Sequence, residues 1–389
     1  MKTPLLLALA LLLSLPSPAL PRRLSPGSEI SLLTCAPGDQ LYSLFGHTAI
    51  RVQDTREELD IVFNHGTFDF ETRGFYLKFA RGSLPYQLSC TSFERFMAEY
   101  HHYKRSVHEQ VLLLDSLQKQ RLWETLAENY RPENRAYLYN FLYDNCTTRA
   151  RDILAASLDG KITWQAPARP KSFWNQLDEY LAVSPWTRWG IHAILGSPAS
   201  VVATGWEQMF LPDYLMRGVE HARVNGQPLG LPARVLYEAP DTRARTPWYL
   251  SPFFVFAVSI SCLILVLQRF RSRKLLGSVA FPFFIVTGLL GCLLVFLGYF
   301  TLHPTTAPNA NLLWANPLNL IAAFFLVKKS LPVGLRLYLR VYLLLLLVAL
   351  VSWAFLTPAV LFSSMIIIAW MSYLTYRLAR PGHPGGFSG

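Results

Sequence analysis

The chain has 389 residues, of which 52% are hydrophobic, and a formal net charge of +11. This length allows one large soluble domain and a second unit, and the composition changes at Trp248, after which apolar residues dominate. The basic excess does not indicate nucleic-acid binding, because many positive charges flank apolar segments and set membrane topology. Basic residues in the polar half are better matched to phospholipid headgroups.

The N-terminus has the pattern of a secretory signal peptide. Lys2 precedes an apolar run over residues 5–15, and a short stretch of Pro, Ser and Ala follows it. The run is too short for a comfortable membrane span. We therefore predict a signal peptide over residues 1–19 and an exported domain over residues 26–245, with an uncleaved anchor as the alternative.

Patterns in the exported domain predict an α+β arrangement. Period-two alternation puts His47, Ala49 and Arg51 on one face of the second strand. Further along, apolar residues recur at helical spacing behind good N-cap residues. The predicted strands are residues 29–34, 47–52 and 60–64, and the predicted helices are residues 92–103 and 115–129.

A cysteine stands where the next helix is predicted to begin. Asn145 or Asp144 is suited to the N-cap, and residues 149–158 carry apolar side chains on one face. A thiol in the first turn lies near unpaired backbone N–H groups and the positive end of the helix dipole, which favour the thiolate. Cys146 is therefore a candidate nucleophile and His47 a candidate base, with Asn145 in the candidate oxyanion region. The alternative for each is a structural role.

The five cysteines fall into three groups. Cys262 and Cys292 lie in apolar segments, where a small apolar side chain is sufficient explanation. Cys35 and Cys90 lie in the exported domain, and an oxidising compartment makes them candidates for a disulfide. Cys146 is then the odd thiol, for which catalysis is the explanation that we favour.

The apolar half predicts a transmembrane domain of five helices over residues 248–376. Lys and Arg follow the first, third and fifth predicted spans, and none occurs in residues 303–311. The positive-inside rule then places the basic loops and a disordered tail, residues 377–389, in the cytoplasm, with the exported domain outside. The predicted spans are 249–268, 276–300, 312–327, 338–356 and 358–376.

The uncharged loop between the second and third spans, residues 301–311, faces the same side as the exported domain in this topology. Its polar and aromatic residues are His303, Asn309, Asn311 and, just after it, Trp314. A simple connector is one interpretation. The other, which we favour, is that the loop docks beneath the Cys146 helix and seats a lipid headgroup, with Trp314 at the membrane interface.

Four stretches of the exported half, in order, resemble the periplasmic domain of the Lnb lipoprotein N-acyltransferase family. They read LLTCAPG at 32–38, YSLFGHTAIR at 42–51, DIVFNHGTFDF at 60–70 and YDNCTTR at 143–149. The resemblance covers most of residues 30–155 and, more loosely, the membrane spans. It implies a permuted papain-like (NlpC/P60-like) α+β fold with histidine before cysteine, followed by an all-α five-helix transmembrane domain.

The resemblance also implies an activity and its residues. Cys146 would be the nucleophile and His47 the base of an inner-membrane enzyme with its catalytic domain in the periplasm. The enzyme would move a fatty acyl chain from a phospholipid, through a thioester, to the α-amino group of a diacylated lipoprotein's N-terminal cysteine. His65 is the candidate third member, although the family usually has an aromatic residue there. Asn64 and Asp69 are the alternatives.

Substrate binding is assigned within and beyond the matching stretches. The candidate residues are Tyr42, Arg51, His303 and Asn311. The expected partners are a phospholipid donor, a diacylated lipoprotein acceptor and membrane lipid, and no nucleic acid. No cofactor or metal is expected, because His101, His102 and His108 lack partner ligands at useful spacing. Two other functions stay open: a cell-wall peptidase or amidase, and a non-catalytic membrane assembly or sensor protein.

Overall fold

The computed structural model describes residues 21–158, 162–165, 169–240, 245–326, 328, 331–352 and 362–380. The predicted signal peptide lies outside these ranges, and so does the end of the predicted tail. Within them, the chain forms an α+β domain followed by a helical region.

An antiparallel sheet of seven strands forms the centre of the α+β domain. Its strands are β1 (Glu29–Cys35), β2 (His47–Asp54), β3 (Leu59–Thr67), β4 (Pro85–Ser92), β5 (Val107–Val111), β6 (Ala136–Leu138) and β12 (Arg234–Tyr237). Their spatial order is β12-β5-β1-β2-β3-β4-β6. The three predicted strands are confirmed as β1, β2 and β3, each slightly longer than predicted.

A small three-stranded sheet, one pair of short strands and several helices complete the domain. The short strands are β7 (Ile162–Thr163), β8 (Lys171–Ser172), β9 (Val202–Ala203), β10 (Arg223–Val224) and β11 (Gln227–Pro228). The helices are α1 (Phe75–Arg81), α2 (Phe93–His102), α3 (Ser116–Tyr130), α4 (Cys146–Ser157), α5 (Phe173–Leu181), α6 (Pro185–Ile194), α7 (Gly205–Gln208) and α8 (Pro212–His221). The predicted helices are confirmed as α2, α3 and α4.

The sheet lies between two helical layers because both of its faces are apolar. Ile50 of β2 belongs to the same core cluster as Trp123 of α3 and Leu154 of α4. The next residue toward the N-terminus, Ala49, points to the opposite face and packs with Phe96 of α2. Burying a large apolar side chain contributes about 1.5–3 kcal/mol, so these clusters fix α4 firmly against β2.

Among the residues that the structure describes after residue 250, the helical region has five α-helices. They are α9 (Pro252–Arg269), α10 (Arg273–Tyr299), α11 (Leu318–Leu326), α12 (Val333–Ser352) and α13 (Phe362–Ala379). Among the described residues, α9, α10 and α12 are long and apolar enough to cross a membrane. Residues 377–379, which were predicted to belong to the disordered tail, are the last residues of α13.

The third predicted span is much shorter in the structure than in the sequence-based prediction. Residues Ala310–Leu313 form a 3-10 turn, and α11 has nine residues. At 1.5 Å per residue, the described part of α11 rises about 14 Å, roughly half of the hydrocarbon thickness. Pro317 explains the late start of the helix, since the residue before a proline is disfavoured in the α conformation.

Helix α6 connects the α+β domain to the membrane helices. The indole Nε1 of Trp189 donates a hydrogen bond to Ser364 Oγ of α13 at 3.0 Å. The indole Nε1 of Trp186 donates to the carbonyl oxygen of Leu250, just before α9, at 2.8 Å. These two contacts hold the domain against the helical region from one side.

Candidate active site

Asn145 caps α4, as the sequence predicted. Its Oδ1 accepts hydrogen bonds from the N–H groups of Thr147 and Thr148 at 2.8 and 2.9 Å. Its Nδ2 donates to the carbonyl oxygens of Phe141 and Phe210 at 2.7 and 3.0 Å. Since both ends of the amide are engaged, the assignment of Asn145 to the oxyanion region is corrected: its side chain shapes the helix start.

His47 begins β2 beside Cys146. It follows Gly46, whose φ of +82° suits glycine, and a side chain there would lie 2.7 Å from the carbonyl oxygen of Cys35. The His47 imidazole lies near enough to the Cys146 thiol to lower the pKa of that thiol. Its Nε2 lies 3.3 Å from Oδ1 of Asn64 on β3. The structure thus brings the predicted nucleophile and base together.

The surroundings of Cys146 lower the pKa of its thiol. Burial acts in the opposite direction, but the positive charge of His47, its hydrogen bond, and hydrogen bonds from the Thr48 N–H and the Thr147 hydroxyl prevail. The pKa falls from 9.0 to about 7. For His47, burial is outweighed by the Cys146 thiolate and by Asn64, and its pKa rises above 6.5. Each group therefore stabilises the charged form of the other.

Asn64, and not its neighbour His65, contacts the His47 ring as the third residue of the site. Successive side chains of a strand point to opposite faces, and the Asn64 amide is the one that reaches His47. His65 is buried, and burial together with the charges of Arg149 and His47 lowers its pKa to about 3. Its ring instead meets Tyr137 edge-on, with centroids 6.4 Å apart. The assignment of His65 as third member is therefore corrected.

Gly66 brings β3 close to the thiol. Its φ is +90°, and the pairing of β3 with β4 shifts register between Asn64 and Thr67. A Cβ at Gly66 would lie 3.7 Å from the Cβ of Cys146 and 3.8 Å from the Tyr137 hydroxyl oxygen. The glycine thus lets the β3 backbone approach Cys146 and Tyr137 closely.

Two residues near the thiol were missed by the sequence analysis. The hydroxyl of Tyr137 is buried and has no hydrogen-bond partner among the described residues. The guanidinium of Arg149 lies 3.5 Å from the centre of the Tyr137 ring and holds both carboxylate oxygens of Asp144. The aromatic run before Asn145 was visible in the sequence, but periodicity does not indicate which ring turns toward the thiol.

Arg51 does not lie free to bind substrate. Its guanidinium pairs with both carboxylate oxygens of Asp60 at 2.7 Å and with Glu109 at 2.9 Å. It also lies 3.4 Å from the centre of the Phe93 ring. Since these contacts use its charge, the assignment of Arg51 to substrate binding is corrected. Tyr42 is exposed and packs edge-on against Phe68, so its substrate role stays a prediction.

The loop of residues 301–311 does contact the α+β domain, but at other elements than predicted. His303 Nε2 donates to the Ala80 carbonyl oxygen at the end of α1, at 3.2 Å. Asn311 Nδ2 donates to the carbonyl oxygen of Ala193 in α6 at 3.1 Å, and its Oδ1 accepts from Trp314. Both side chains bind protein carbonyl groups, and Trp314 is buried. Their assignment to substrate binding is corrected, and the position of Trp314 at the membrane interface stays a prediction.

Cys35 and Cys90 are both free. Cys35 lies on β1 and Cys90 on β4, with β2 and β3 between them. Three strand spacings correspond to about 14 Å, far beyond the roughly 7 Å Cα separation that a disulfide allows. The disulfide prediction is therefore wrong.

The arrangement is suited to covalent acyl transfer. A thiol with a lowered pKa, a histidine beside it and an amide orienting the histidine form a nucleophile–base unit. Within the ranges described above, no group of three or more His, Cys, Asp or Glu side chains could hold a metal ion.

Comparison with known families gives two matches along the chain. Residues 24–180 match the Lnb N-terminal periplasmic domain, and residues 244–380 match the Lnb transmembrane domain. No curated protein and no solved structure matched. The first match includes Cys146 and His47, and the second covers the helical region. The chain therefore belongs to the Lnb family and is a membrane protein whose N-terminal part is periplasmic.

Proposed function

We propose that this protein is a lipoprotein N-acyltransferase. It would transfer a fatty acyl chain from a phospholipid, through a thioester on Cys146, to the α-amino group of a diacylated lipoprotein's N-terminal cysteine. The observation that carries the proposal is the thiol–imidazole pair of Cys146 and His47, in a periplasmic domain held against apolar helices. A membrane-bound thiol nucleophile suits a donor and an acceptor that are both lipids.

In the first half-reaction, His47 accepts the thiol proton of Cys146. Because Asn64 Oδ1 accepts from Nε2, the nitrogen left to take this proton is Nδ1. The thiolate attacks the ester carbonyl carbon, and the C–S bond forms. The C–O bond of the ester then breaks, and the departing lysophospholipid oxygen takes the proton back from His47.

In the second half-reaction, the α-amino group of the acceptor attacks the thioester. The amide C–N bond forms, the C–S bond breaks, and His47 receives the proton that the amine loses. The tetrahedral oxyanion of each half-reaction needs donors. The Cys146 N–H at the start of α4 and the unpartnered Tyr137 hydroxyl are the groups that we assign to it.

The finer architecture belongs to the same proposal. We assign the periplasmic part, residues 26–245, to a permuted papain-like fold, in which histidine precedes cysteine. Residues 248–376 would form a bundle of five helices in the bacterial inner membrane. In this bundle α11 and α13 would join the three long apolar helices. Residues 1–19 would be the signal peptide.

The test is mass spectrometry of lipoprotein N-termini from cells with and without this protein. Wild-type protein should yield N-acylated termini, and Cys146→Ser and His47→Ala should each yield only free α-amino groups. Removing either member of a nucleophile–base unit costs several orders of magnitude in rate. Normal N-acylation by either variant, with both folded, would refute the assignment.

The purified protein separates the proposal from its two rivals. With phospholipid alone, intact mass should show a fatty acyl adduct on Cys146 that hydroxylamine removes, and lysophospholipid should be released. Cleavage of cell-wall peptides without an acyl adduct would instead identify a peptidase or amidase. A protein that yields neither product would fit the non-catalytic reading.

A further inference from the structure

The α+β domain carries an exposed apolar surface beside the active site. We call it the aromatic surface: it comprises Phe70, Tyr76, Leu77 and Phe79 on and just before α1, and Leu302 of the membrane loop. Tyr76 is 84% exposed, and each of the others is close to half exposed or more. None of the residues of α1 is buried. Contiguous exposed apolar side chains of this kind mark contact sites for a membrane or another macromolecule.

The aromatic surface adjoins the end of a membrane helix. The Leu302 N–H, three residues after the end of α10, donates to the Arg81 carbonyl oxygen at 2.9 Å. By the positive-inside rule, this end of α10 is opposite to the basic residues that begin it, and so on the periplasmic side. Exposed Tyr299 and Phe300 continue the apolar surface onto α10. The surface therefore lies at the level where α10 leaves the bilayer.

The charges of α1 itself favour a bilayer over a protein partner. Lys78 and Arg81 are interleaved with the aromatic residues of α1, and no acidic residue occurs in this helix. Asp69 and Glu71 flank Phe70 just before the helix, so the cations are concentrated on α1. Aromatic side chains beside basic ones form the composition of segments that lie in the headgroup region. Anionic phosphate groups would pair with the two cations, while the rings enter the acyl boundary.

A line of aromatic rings leads from α1 to the thiol. Phe75 of α1 meets Phe68 at 5.9 Å between ring centroids, and Phe68 meets Tyr86 at 5.3 Å. Tyr86 stacks on Tyr139 at 4.5 Å. Tyr139 and Cys146 both lie within 4 Å of the position that a Cβ at Gly66 would take. Ring contacts therefore connect α1 with the residues beside the thiol.

We propose that the aromatic surface rests in the periplasmic interface of the bilayer and is the place where a phospholipid enters the site. The membrane contact stands by itself, and the entry of the acyl donor rests on the proposed function. The partner that covers the aromatic surface is the lipid bilayer.

The test of the membrane contact is site-specific photocrosslinking. The full-length protein is placed in vesicles of phosphatidylethanolamine and phosphatidylglycerol, with p-benzoylphenylalanine replacing Tyr76. The matched control replaces Tyr103, another exposed tyrosine, which follows α2 near β12 at the opposite edge of the sheet. Irradiation should attach phospholipid at position 76 and none at position 103. Absence of a lipid adduct at 76, or equal adducts at both positions, would overturn the contact.

The test of lipid entry uses a triple variant of the exposed residues, Tyr76→Ser, Leu77→Ser and Phe79→Ser. Acylation of Cys146 from vesicle phospholipid should be lost, while alkylation of Cys146 by iodoacetamide keeps its wild-type rate. The control variant, Leu113→Ser with Leu117→Ser, removes exposed leucines elsewhere and should be acylated normally. Wild-type acylation of the triple variant would overturn lipid entry.

These results also distinguish this inference from the proposed function. If wild-type protein acquires no acyl group but position 76 still crosslinks to phospholipid, the acyltransferase proposal fails and the membrane contact stands. If wild-type protein is acylated and position 76 yields no lipid adduct, the acyltransferase proposal stands and this inference fails.

Discussion

At the scale of single residues, the thiols of the α+β domain differ through their partners. All three are at least partly buried, and burial alone disfavours a thiolate. Burial raises the pKa of Cys35 to about 12 and that of Cys90 to about 11. Only at Cys146 do a histidine and several hydrogen-bond donors outweigh it, among the described residues of this domain. Reactivity here depends on a neighbouring side chain more than on the residue type.

The first prediction concerns the pH dependence of Cys146. A thiol with a pKa near 7 is a thiolate above that pH and loses its reactivity as the pH falls below it. The rate of alkylation by iodoacetamide, followed by intact mass, should therefore rise through a midpoint near pH 7. In His47→Ala the lowering effects of the imidazole are lost while burial remains, so the midpoint should move above 9. A midpoint near 9 in the wild type would contradict the site electrostatics.

The second prediction concerns Tyr137. Its hydroxyl is buried without a partner, which costs stability unless a substrate oxygen fills the place. Tyr137→Phe should slow formation of the Cys146 thioester by on the order of 100-fold, the usual effect of losing one oxyanion donor. Its melting temperature should stay equal or rise, because the unpaired hydroxyl is gone.

Tyr130→Phe is the matched control for Tyr137→Phe. Tyr130 ends α3 and meets Phe63 edge-on at 6.1 Å between centroids, away from the line of rings, and the change also removes one hydroxyl while keeping the ring. Thioester formation in this variant should stay close to that of the wild type. Equal rates for both variants would remove Tyr137 from the oxyanion assignment.

At the scale of elements, the loop of residues 301–311 completes two helix ends of the α+β domain. The last carbonyl groups of a helix lack partners within it. For α1, the Leu302 N–H and the His303 ring bind those carbonyl groups. For α6, Asn309 Nδ2 donates to the carbonyl oxygens of Ala193 and Ile194 at 3.0 and 2.9 Å. The polar residues of this loop thus join the two parts of the protein.

The third prediction follows from this capping. Asn309→Ala should leave several buried carbonyl groups of α6 unsatisfied, at a cost of about 1–3 kcal/mol, and lower the melting temperature by several degrees. Thioester formation per folded molecule should be unchanged, because the side chain contacts α6 and not the thiol. A normal melting temperature for Asn309→Ala would contradict the capping role.

At the scale of the whole molecule, two sets of contacts hold the α+β domain on the helical region. One consists of the indole groups of Trp186 and Trp189 on α6, and the other of the loop after α10. They fix the domain on the side of the helices that bears this loop. Since the loop carries no Lys or Arg, charge and contacts agree on a common side for the loop and the thiol.

The fourth prediction tests that topology in cells. Pro304→Cys and Arg271→Cys each introduce one thiol, the first in the loop after α10 and the second between α9 and α10. In a Cys146→Ser background, a membrane-impermeant maleimide added to intact spheroplasts should label position 304 and not position 271. After lysis, both positions should react. Labelling of position 271 before lysis would reverse the assigned orientation.

The sequence by itself determined the features that local forces govern. Alternation located β1, β2 and β3, and capping chemistry located the start of α4 at Asn145. The glycine before His47 and the helix start at Cys146 were enough to pair the two residues. Charge beside the apolar runs predicted the order of domains that the two family matches show.

The tertiary structure decided which side chains meet across strands and between the two parts of the chain. Asn64 and His65 are neighbours in sequence, and only the position of β2 beside β3 selects Asn64 as the partner of His47. The strand order places β2 and β3 between Cys35 and Cys90. Arg51 pairs with Asp60 of β3 and Glu109 of β5, so its charge is already used. The sequence also could not predict which groups the membrane loop contacts, because the carbonyl groups that it caps lie more than a hundred residues away in sequence. Such contacts depend on packing over long sequence separations, which local periodicity and charge do not encode.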